Sequence, residues 1–594
     1  MDRKSIIILV LSVLVIFSWP IVTTKIWPPK PIPGYKATNN VALATNNQAL
    51  ATNQPSISAN TNAGAAVTPP ANAGTPEQTL VVTSDQARYT FTSRGGGIKQ
   101  IELLNYPETV DCHKKSTETN LATLNRSAML PVLGLGGSPA LQGDDIYQLE
   151  KTANGVIARK QLPDGLVVEK EFEAQSNFLM NATVRLRNTG NQNIAIPSQE
   201  IAAGTATPMG PLDDGHLVGV RWYNGTGDEG LDTTWFANKT LGCIPGTPRE
   251  LYSAGANNVR WVAAQNQFFA LALMPVDPAA QIVARKISLP APSREIIAST
   301  PKVNLNPMGL QAAVVYGATN LPPNQVVERK FAIFSGPKEN RTLERLALQY
   351  KNDIDRIMGY TGFFGFFAKA LLWSMNGIHS LVPSYAFAII AITVIIKSLF
   401  WPLTAASTRS MKRMQELQPQ MKALQEKYKA DPVKMNKKLM EFMKENKVSP
   451  LGGCLPMVLQ VPVFFGFYRM IQSAIELRGA PFLWACDLSR PDTIFVLPGL
   501  NFPVNPLPLI MGATMLWQAR LTPPSPGMDP AQQKIMRYMP LMFLFILYNF
   551  SAGLTLYWTV QNLLTIAQMK LTKAKSTKAP AGPAPGMPPK KRNG

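Results

Sequence analysis

Twenty residues, Ser384 to Leu403, read as a bilayer span, and only one of them, Lys397, is charged. An ammonium at mid-membrane costs about 3 kcal/mol on insertion scales unless water or a partner solvates it. A chain that keeps such a residue is expected to hold a polar cavity around it. Its work would then be done inside the membrane, on ions, solutes or polypeptide.

The 594 residues are enough for two or more domains. Basic residues outnumber acidic ones 58 to 37, yet only 16% of the chain is charged, which is low for a soluble protein. The excess is localised: residues 405–449 carry 11 Lys/Arg against 5 acids, and 570–594 carry 7 against none. Both stretches flank apolar runs, so the cytoplasmic collection of Lys and Arg explains them better than nucleic-acid binding does. Cys112, Cys243, Cys454 and Cys486 are too few for a disulfide scaffold. Cys112 and Cys243 could be bridged if their region lies outside the cytoplasm. Three histidines without ligand spacing argue against a zinc enzyme.

At the N-terminus, MDRK precedes the apolar run Ser5–Thr24. The run is long for a signal-peptide core and no clean small-x-small site follows, so residues 1–26 are expected to be an uncleaved anchor rather than a cleaved leader. Residues 27–79 are dominated by Ala, Asn, Thr, Pro and Gly and could bury no core, as expected of a disordered linker. Over 80–335 the pattern changes. Met180, Ala182, Val184 and Leu186 alternate with Asn181, Thr183, Arg185 and Arg187, the period of a half-buried strand. Similar runs separated by Asn154-Gly155 and Asn224-Gly225 predict an all-β sandwich, placed outside the cytoplasm by the single anchor before it.

Leu343, Leu346, Tyr350, Ile354 and Ile357 recur at helical spacing, so residues 340–382 are expected to form amphipathic helices on the membrane surface. A membrane-spanning core is expected over 383–571, with spans at about 384–403, 454–474, 498–517, 538–550 and 554–571. The uncharged run Tyr538–Met569 is 32 residues, about 48 Å as one helix against a hydrocarbon core of about 30 Å, so Ser551-Ala552-Gly553 must divide it. With that division both termini are cytoplasmic, residues 27–383 are periplasmic, and 572–594 form a basic cytoplasmic tail. The fold class is therefore a multi-domain membrane protein: anchor helix, periplasmic β-sandwich, and a five-helix core with a cytoplasmic helical hairpin at 405–449.

Thr393, Lys397 and Thr404 sit on one helical face with Trp401. In the last span Thr555, Thr559 and Asn562 share a face, and Tyr557, Gln561 and Gln568 an adjoining one; Gln460 adds a polar group to the third span. Taken singly these residues read as hydrogen-bonding glue between helices. As a set around a lysine they read as a hydrated groove. Snorkelling towards the headgroups is the rival for Lys397. In the hairpin, Met411, Met414, Leu417 and Met421 form a stripe that serves packing or, through methionine's adaptability, apolar clients. Asp431-Pro432 marks the start of its second helix. No phosphate loop, nucleophile elbow or metalloprotease helix is present, so no nucleotide, cofactor, metal or enzymatic activity is expected.

The segments SPLGGCLPMVLQVPVFFGFY (449–468), IELRGAPFLWACDLS (475–489), DPAQQKIMRYMP (529–540) and AGLTLYWTVQNL (552–563) resemble the YidC-type membrane protein insertases of bacteria, in the Gram-negative form with a large periplasmic domain. The resemblance implies a groove in the five-span core that is open to cytoplasm and lipid. Lys397 stands where the family usually has arginine, and Thr393, Gln460 and Tyr557 match groove positions. Trp558 stands where a second tyrosine is common; Thr555 and Asn562 complete the expected groove set. It also implies that the hairpin, through Met411, Met414 and Met421, receives clients, that these are nascent membrane proteins, and that the Sec translocon and, via the basic tail, the ribosome are partners. The β domain resembles sugar-mutarotase-like sandwiches. A transporter or channel using Lys397 as an intramembrane anion site is the alternative function.

Overall fold

The computed structural model describes residues 76–572, apart from 111–119, 211–212, 214, 240–245, 300–302, 447–454, 498, 501 and 523–529. The expected anchor, nearly all of the linker, the Cys112–Cys243 pairing and all but Thr572 of the basic tail lie outside the described residues. Those described, other than 530–535, belong to one compact unit.

The N-terminal half is built from antiparallel sheets. The largest has nine strands, running in order from Asp228–Asp232 through Gly219–Tyr223, Trp261–Gln265, Phe269–Pro275, Val326–Pro337, Leu179–Asn188, Leu166–Ala174 and Gly155–Gln161 to Gln148–Lys151. A five-stranded sheet containing Met308–Tyr316 and Gln199–Ala206 packs against its middle, and a four-stranded sheet spans Thr79–Leu124. Strand alternation accounts for the register. Met180, Ala182, Val184 and Leu186 point into the core while Arg185 and Arg187 point away, and Ala182 sits opposite Phe331 on the neighbouring strand. Arg185 spends its outward position on Glu169, Glu171 and Glu328 of the two flanking strands.

Nine helices of the C-terminal half carry the functional argument: α1 (Asn340–Tyr350), α2 (Gly362–Leu381), α3 (Tyr385–Leu399), α4 (Trp401–Lys427), α5 (Pro432–Glu445), α6 (Leu455–Ser473), α7 (Pro506–Leu521), α8 (Pro530–Leu547) and α9 (Ala552–Leu571). The apolar face expected to lie on the membrane is instead occupied within the protein: Leu343, Leu346, Ile354 and Ile357 are all buried in the main core. This segment straps the β half to the helices. Trp261 Nε1 donates to the Asn352 carbonyl at 2.8 Å, Tyr223 donates to Asp353 at 2.8 Å, and Asp228 pairs with both Arg221 and Arg356. On the helical side Ser473 Oγ donates to the Tyr360 hydroxyl at 2.9 Å, and Arg478 Nη2 donates to the carbonyls of Pro107 and Glu108. Helix α2 is apolar on both sides, with Ala368, Leu371, Leu372 and Met375 inward and Phe363, Phe366 and Trp373 exposed.

Two expected spans begin elsewhere. The expected start at 498 lies outside the described residues; the flanking Phe495–Leu497 and Phe502–Val504 pair as two short strands, and α7 begins only at Pro506. Prolines 503 and 506 explain the shift: the first sits on an isolated two-stranded edge and the second at a helical N-terminus, where neither needs a backbone N–H. Helix α8 starts before 538, and its apolar part is Tyr538–Leu547. The break before α9 falls where Ser551-Ala552-Gly553 placed it. Helix α3 does not run on to 403; it meets α4 at Phe400 with a 65° bend, and Pro402 occupies the first turn of α4. Among the described residues no single helix is long and apolar enough to cross a membrane, and α3 with α4 is the one bent pair that passes together.

Candidate functional site: a polar ladder on the last helix

Helix α9 presents Tyr557, Gln561, Thr565, Gln568 and the following Thr572 at spacings of four, four, three and four, which is one face of a helix. Between them they meet three other helices. Gln460 of α6 hydrogen-bonds the Tyr557 hydroxyl through Nε2 and accepts from Gln561 Nε2 at 2.7 Å. Thr565 Oγ1 donates to the Gln561 carbonyl at 2.7 Å and accepts from Lys397 Nζ of α3 at 2.9 Å. Gln568 Nε2 donates to Thr404 Oγ1 of α4 at 2.6 Å. Finally Lys412 Nζ of α4 donates to the Thr572 carbonyl at 2.6 Å. A series of hydrogen bonds therefore joins α9 to α6, α3 and α4 along most of its length.

Lys397 is 8% exposed and turned into this line rather than towards the outside of the helices. Among the described residues it forms no ion pair, and Thr565 is its hydrogen-bond acceptor. An ammonium has three donors, so two remain for water or for an incoming acceptor. The 65° bend removes Thr404 from the straight face expected to carry Thr393 and Lys397, but the bend lets Thr404 reach the ladder through Gln568.

The remaining expected groove residues separate from the ladder. Thr393 Oγ1 donates to the Ile389 carbonyl of its own helix at 2.7 Å. Thr555 likewise bonds back to Ser551 and Ala552, and Thr559 to Thr555. Asn562 faces α7, donating to Thr514 Oγ1 at 3.2 Å. Trp558 sits among aromatics, with ring centroids 4.8 Å from Phe464 and 6.1 Å from Phe543. Tyr557 combines both characters, stacking on Phe467 at 4.2 Å while its hydroxyl enters the ladder. Thr565 and Thr514 were not singled out by sequence; a lone threonine in an apolar helix has no local signal, and only the approach of Lys397 or Asn562 marks it.

In the hairpin of α4 and α5, Met414 and Met421 are interior residues, packed with Met443, Leu417, Leu439 and Phe442. Met411 lines a cavity together with Thr408, Lys412 and Gln415. Asp431 caps α5 through the Lys434 amide at 3.1 Å, as its position before proline suggests.

Two sequence families match the chain in tandem: the YidC periplasmic domain over residues 79–374 and the 60Kd inner membrane protein over 377–579. A membrane protein insertase YidC from Syntrophus aciditrophicus is 31% identical over 96% of this chain and 98% of its own. One from Citrifermentans bemidjiense is 34% identical over 83% and 85%. One from Pelobacter propionicus is 45% identical over a shorter stretch, 44% of this chain and 47% of the relative. Among solved structures, an active YidC insertase with its first transmembrane domain resolved aligns with 83% of this chain and 92% of its own at 17% identity, with a TM-score of 0.34.

Proposed function

This chain belongs to the family of YidC membrane protein insertases, and from that premise we propose that it moves polar segments of nascent membrane proteins into the bilayer along the ladder face of α9. The observation that carries this reading is the Lys397–Thr565 contact: a buried cation, without a carboxylate partner among the described residues, set in a line of neutral hydrogen-bonding groups. Such a line lowers the desolvation cost of a client's polar residues, and the spare donors of Lys397 attract an acidic one. Burying the client's apolar span in lipid, at about 25 cal/mol per Å², then favours release.

In this reading α3 with the start of α4, and α6 to α9, lie in the bacterial inner membrane. The β half, strapped to the Ser473 end of α6, is periplasmic. The α4–α5 hairpin is cytoplasmic, as are both termini. Exposed Phe387, Ile395, Leu399, Phe465, Leu509 and Phe545 would face lipid. Helix α7, at 16 residues, spans about 24 Å, and the 10-residue apolar part of α8 about 15 Å, so the bilayer would thin beside them. The Sec translocon and the ribosome are the proposed partners, the latter through the basic tail, and Met411 is the hairpin methionine placed to meet clients.

Photo-crosslinking from Gln460 and Tyr557 to ribosome-bound nascent chains tests the route. Adducts at both positions are expected, and Lys397→Glu is expected to lower insertion of an acidic-tailed client about tenfold, equivalent to about 1.4 kcal/mol, while Lys397→Arg stays within about twofold. Equal insertion by the two variants would discard the electrostatic role. Ion flux through purified proteoliposomes without adducts would favour the anion transporter instead.

A further inference from the structure

Beyond the ladder, where α9 ends, a cavity of about 250 Å³ lies between three helices, lined by Thr408, Met411, Lys412 and Gln415 of α4, Leu521 of α7, and Met569 and Lys570 of α9. Its chemistry is two-sided. Lys412 and Lys570 supply two amines, and no acidic residue lines the cavity. Among the described residues neither amine forms an ion pair; Lys412 donates to the Thr572 carbonyl and Lys570 lies over the Trp517 ring at 4.9 Å. Lys412 therefore caps the C-terminus of α9 with one donor and keeps two, and Lys570 keeps all three. Thr408 and Gln415 add polar groups to the same wall. The rim is apolar and open at Leu521 and at Trp517, which lies against Lys570, and both are exposed.

We propose that this cavity binds the headgroup phosphate of an anionic glycerophospholipid, with the two lysines on the phosphate and the acyl chains along Trp517 and Leu521. Two amines without a carboxylate would repel one another across an empty cavity. A phosphodiester supplies the missing negative charge and accepts hydrogen bonds from both. The apolar rim distinguishes a lipid from a small oxyanion, since only a lipid has chains to cover it. An exposed tryptophan beside a lysine is also the pairing favoured at the level of headgroups. The proposal rests on the membrane placement given above, which puts this end of α9 at the cytoplasmic leaflet, where a basic pocket between helices is suited to anionic headgroups.

The test is native mass spectrometry of the full-length protein in detergent, titrated separately with phosphatidylglycerol, phosphatidylcholine and inorganic phosphate. Insertion is not read, so failure here is separable from failure of the client route. The wild type is expected to retain one phosphatidylglycerol about tenfold better than phosphatidylcholine, and Lys412→Gln with Lys570→Gln to remove that preference. Lys570→Gln alone, at an exposed position that leaves the cap of α9 intact, is expected to weaken retention about threefold, and Lys412→Arg with Lys570→Arg to keep it. Equal retention of the two lipids, unchanged retention in Lys570→Gln, or displacement of phosphatidylglycerol by millimolar inorganic phosphate would each overturn the lipid site.

Discussion

The β half and the helical half solve the same problem in opposite senses. In the β half, aromatic and aliphatic side chains such as Trp261, Phe269, Phe334 and Leu273 are fully enclosed, and charge is carried on outward strand positions. In the helical half large apolar side chains also stand on the outside, with Phe545 at 86% and Trp373 at 80% exposure, while glutamines, threonines and a lysine join apolar residues such as Phe467 in the contact between helices. Water drives the first arrangement through apolar burial. The second makes sense only where the surroundings are themselves apolar, because there the helices gain most from satisfying polar groups against one another. One chain carries both rules, and the strap at 340–360 is where they meet.

The largest expected effect lies in the half that depends on apolar burial. Phe334 is enclosed between neighbouring strands, so Phe334→Ala should cost about 3–5 kcal/mol, read as a lowered denaturation midpoint of the β half in the full-length protein. A loss below about 1 kcal/mol would break the comparison, since that half would then not be held by its core.

Lys170 is the most deeply buried of the β half's charged exceptions, and it makes a sharper test. It occupies an inward strand position, donates to the Gly95 carbonyl at 2.6 Å and lies over the Tyr147 ring at 4.5 Å. Burial lowers its ammonium to about 7, against the raising pull of Asp145 and with the lowering influence of Lys160. The unfolded chain holds that proton to about 10.4, so between these values the unfolded state binds more protons and stability rises with pH. Below about 7 both states are protonated, and the full cost of the buried charge is present without further slope. Lys338, also buried and lowered to about 7, adds to the same trend. Lys170→Met should flatten the rise in unfolding midpoint between pH 7 and 10; an unchanged slope would assign it to Lys338 or to other groups.

In the helical half the matching test removes a polar contact rather than an apolar one. Thr565→Val keeps the shape of the side chain but takes the acceptor from Lys397, leaving a buried ammonium unsatisfied, at a cost of about 1–3 kcal/mol. In a Lys397→Met background the same substitution should cost less, and the difference measures the coupling. Equal costs in both backgrounds would mean that water already serves the lysine.

The unequal legibility of the two halves has the same physical root. Strand alternation is a local signal, so Met180 to Leu186 disclosed their buried face directly, and Ser551-Ala552-Gly553 disclosed a helix break. The bend at Phe400 was hidden because an apolar run reads alike whether straight or bent; Pro402 was its only local mark. The hairpin at 495–504 was hidden for a similar reason, its apolar residues being read as the start of a helix. Of the ladder, Lys397, Gln460 and Tyr557 were legible as polar residues in apolar helices, whereas their pairings were not. Lys397 meets Thr565 across 168 positions of sequence, and no periodicity carries that information. The stripe of Met414 and Met421, by contrast, was legible as packing within a hairpin, and it faces α5.

The smallest expected effect is the most discriminating for the comparison. In a water-soluble domain an exposed phenylalanine contributes little to stability, and in a membrane helix one facing lipid or detergent also contributes little, because it leaves one apolar phase for another on unfolding. Phe545→Ala should therefore shift stability in detergent by less than about 0.5 kcal/mol. Phe545→Asp separates the two cases. At a water-facing site it would also be close to neutral, whereas on a lipid-facing helix it places a carboxylate in hydrocarbon at a cost of roughly 2.5–3.5 kcal/mol at the membrane centre. Thermal unfolding of the two variants in lipid nanodiscs reads the difference, and two near-neutral results would place α8 in water and remove it from the membrane half.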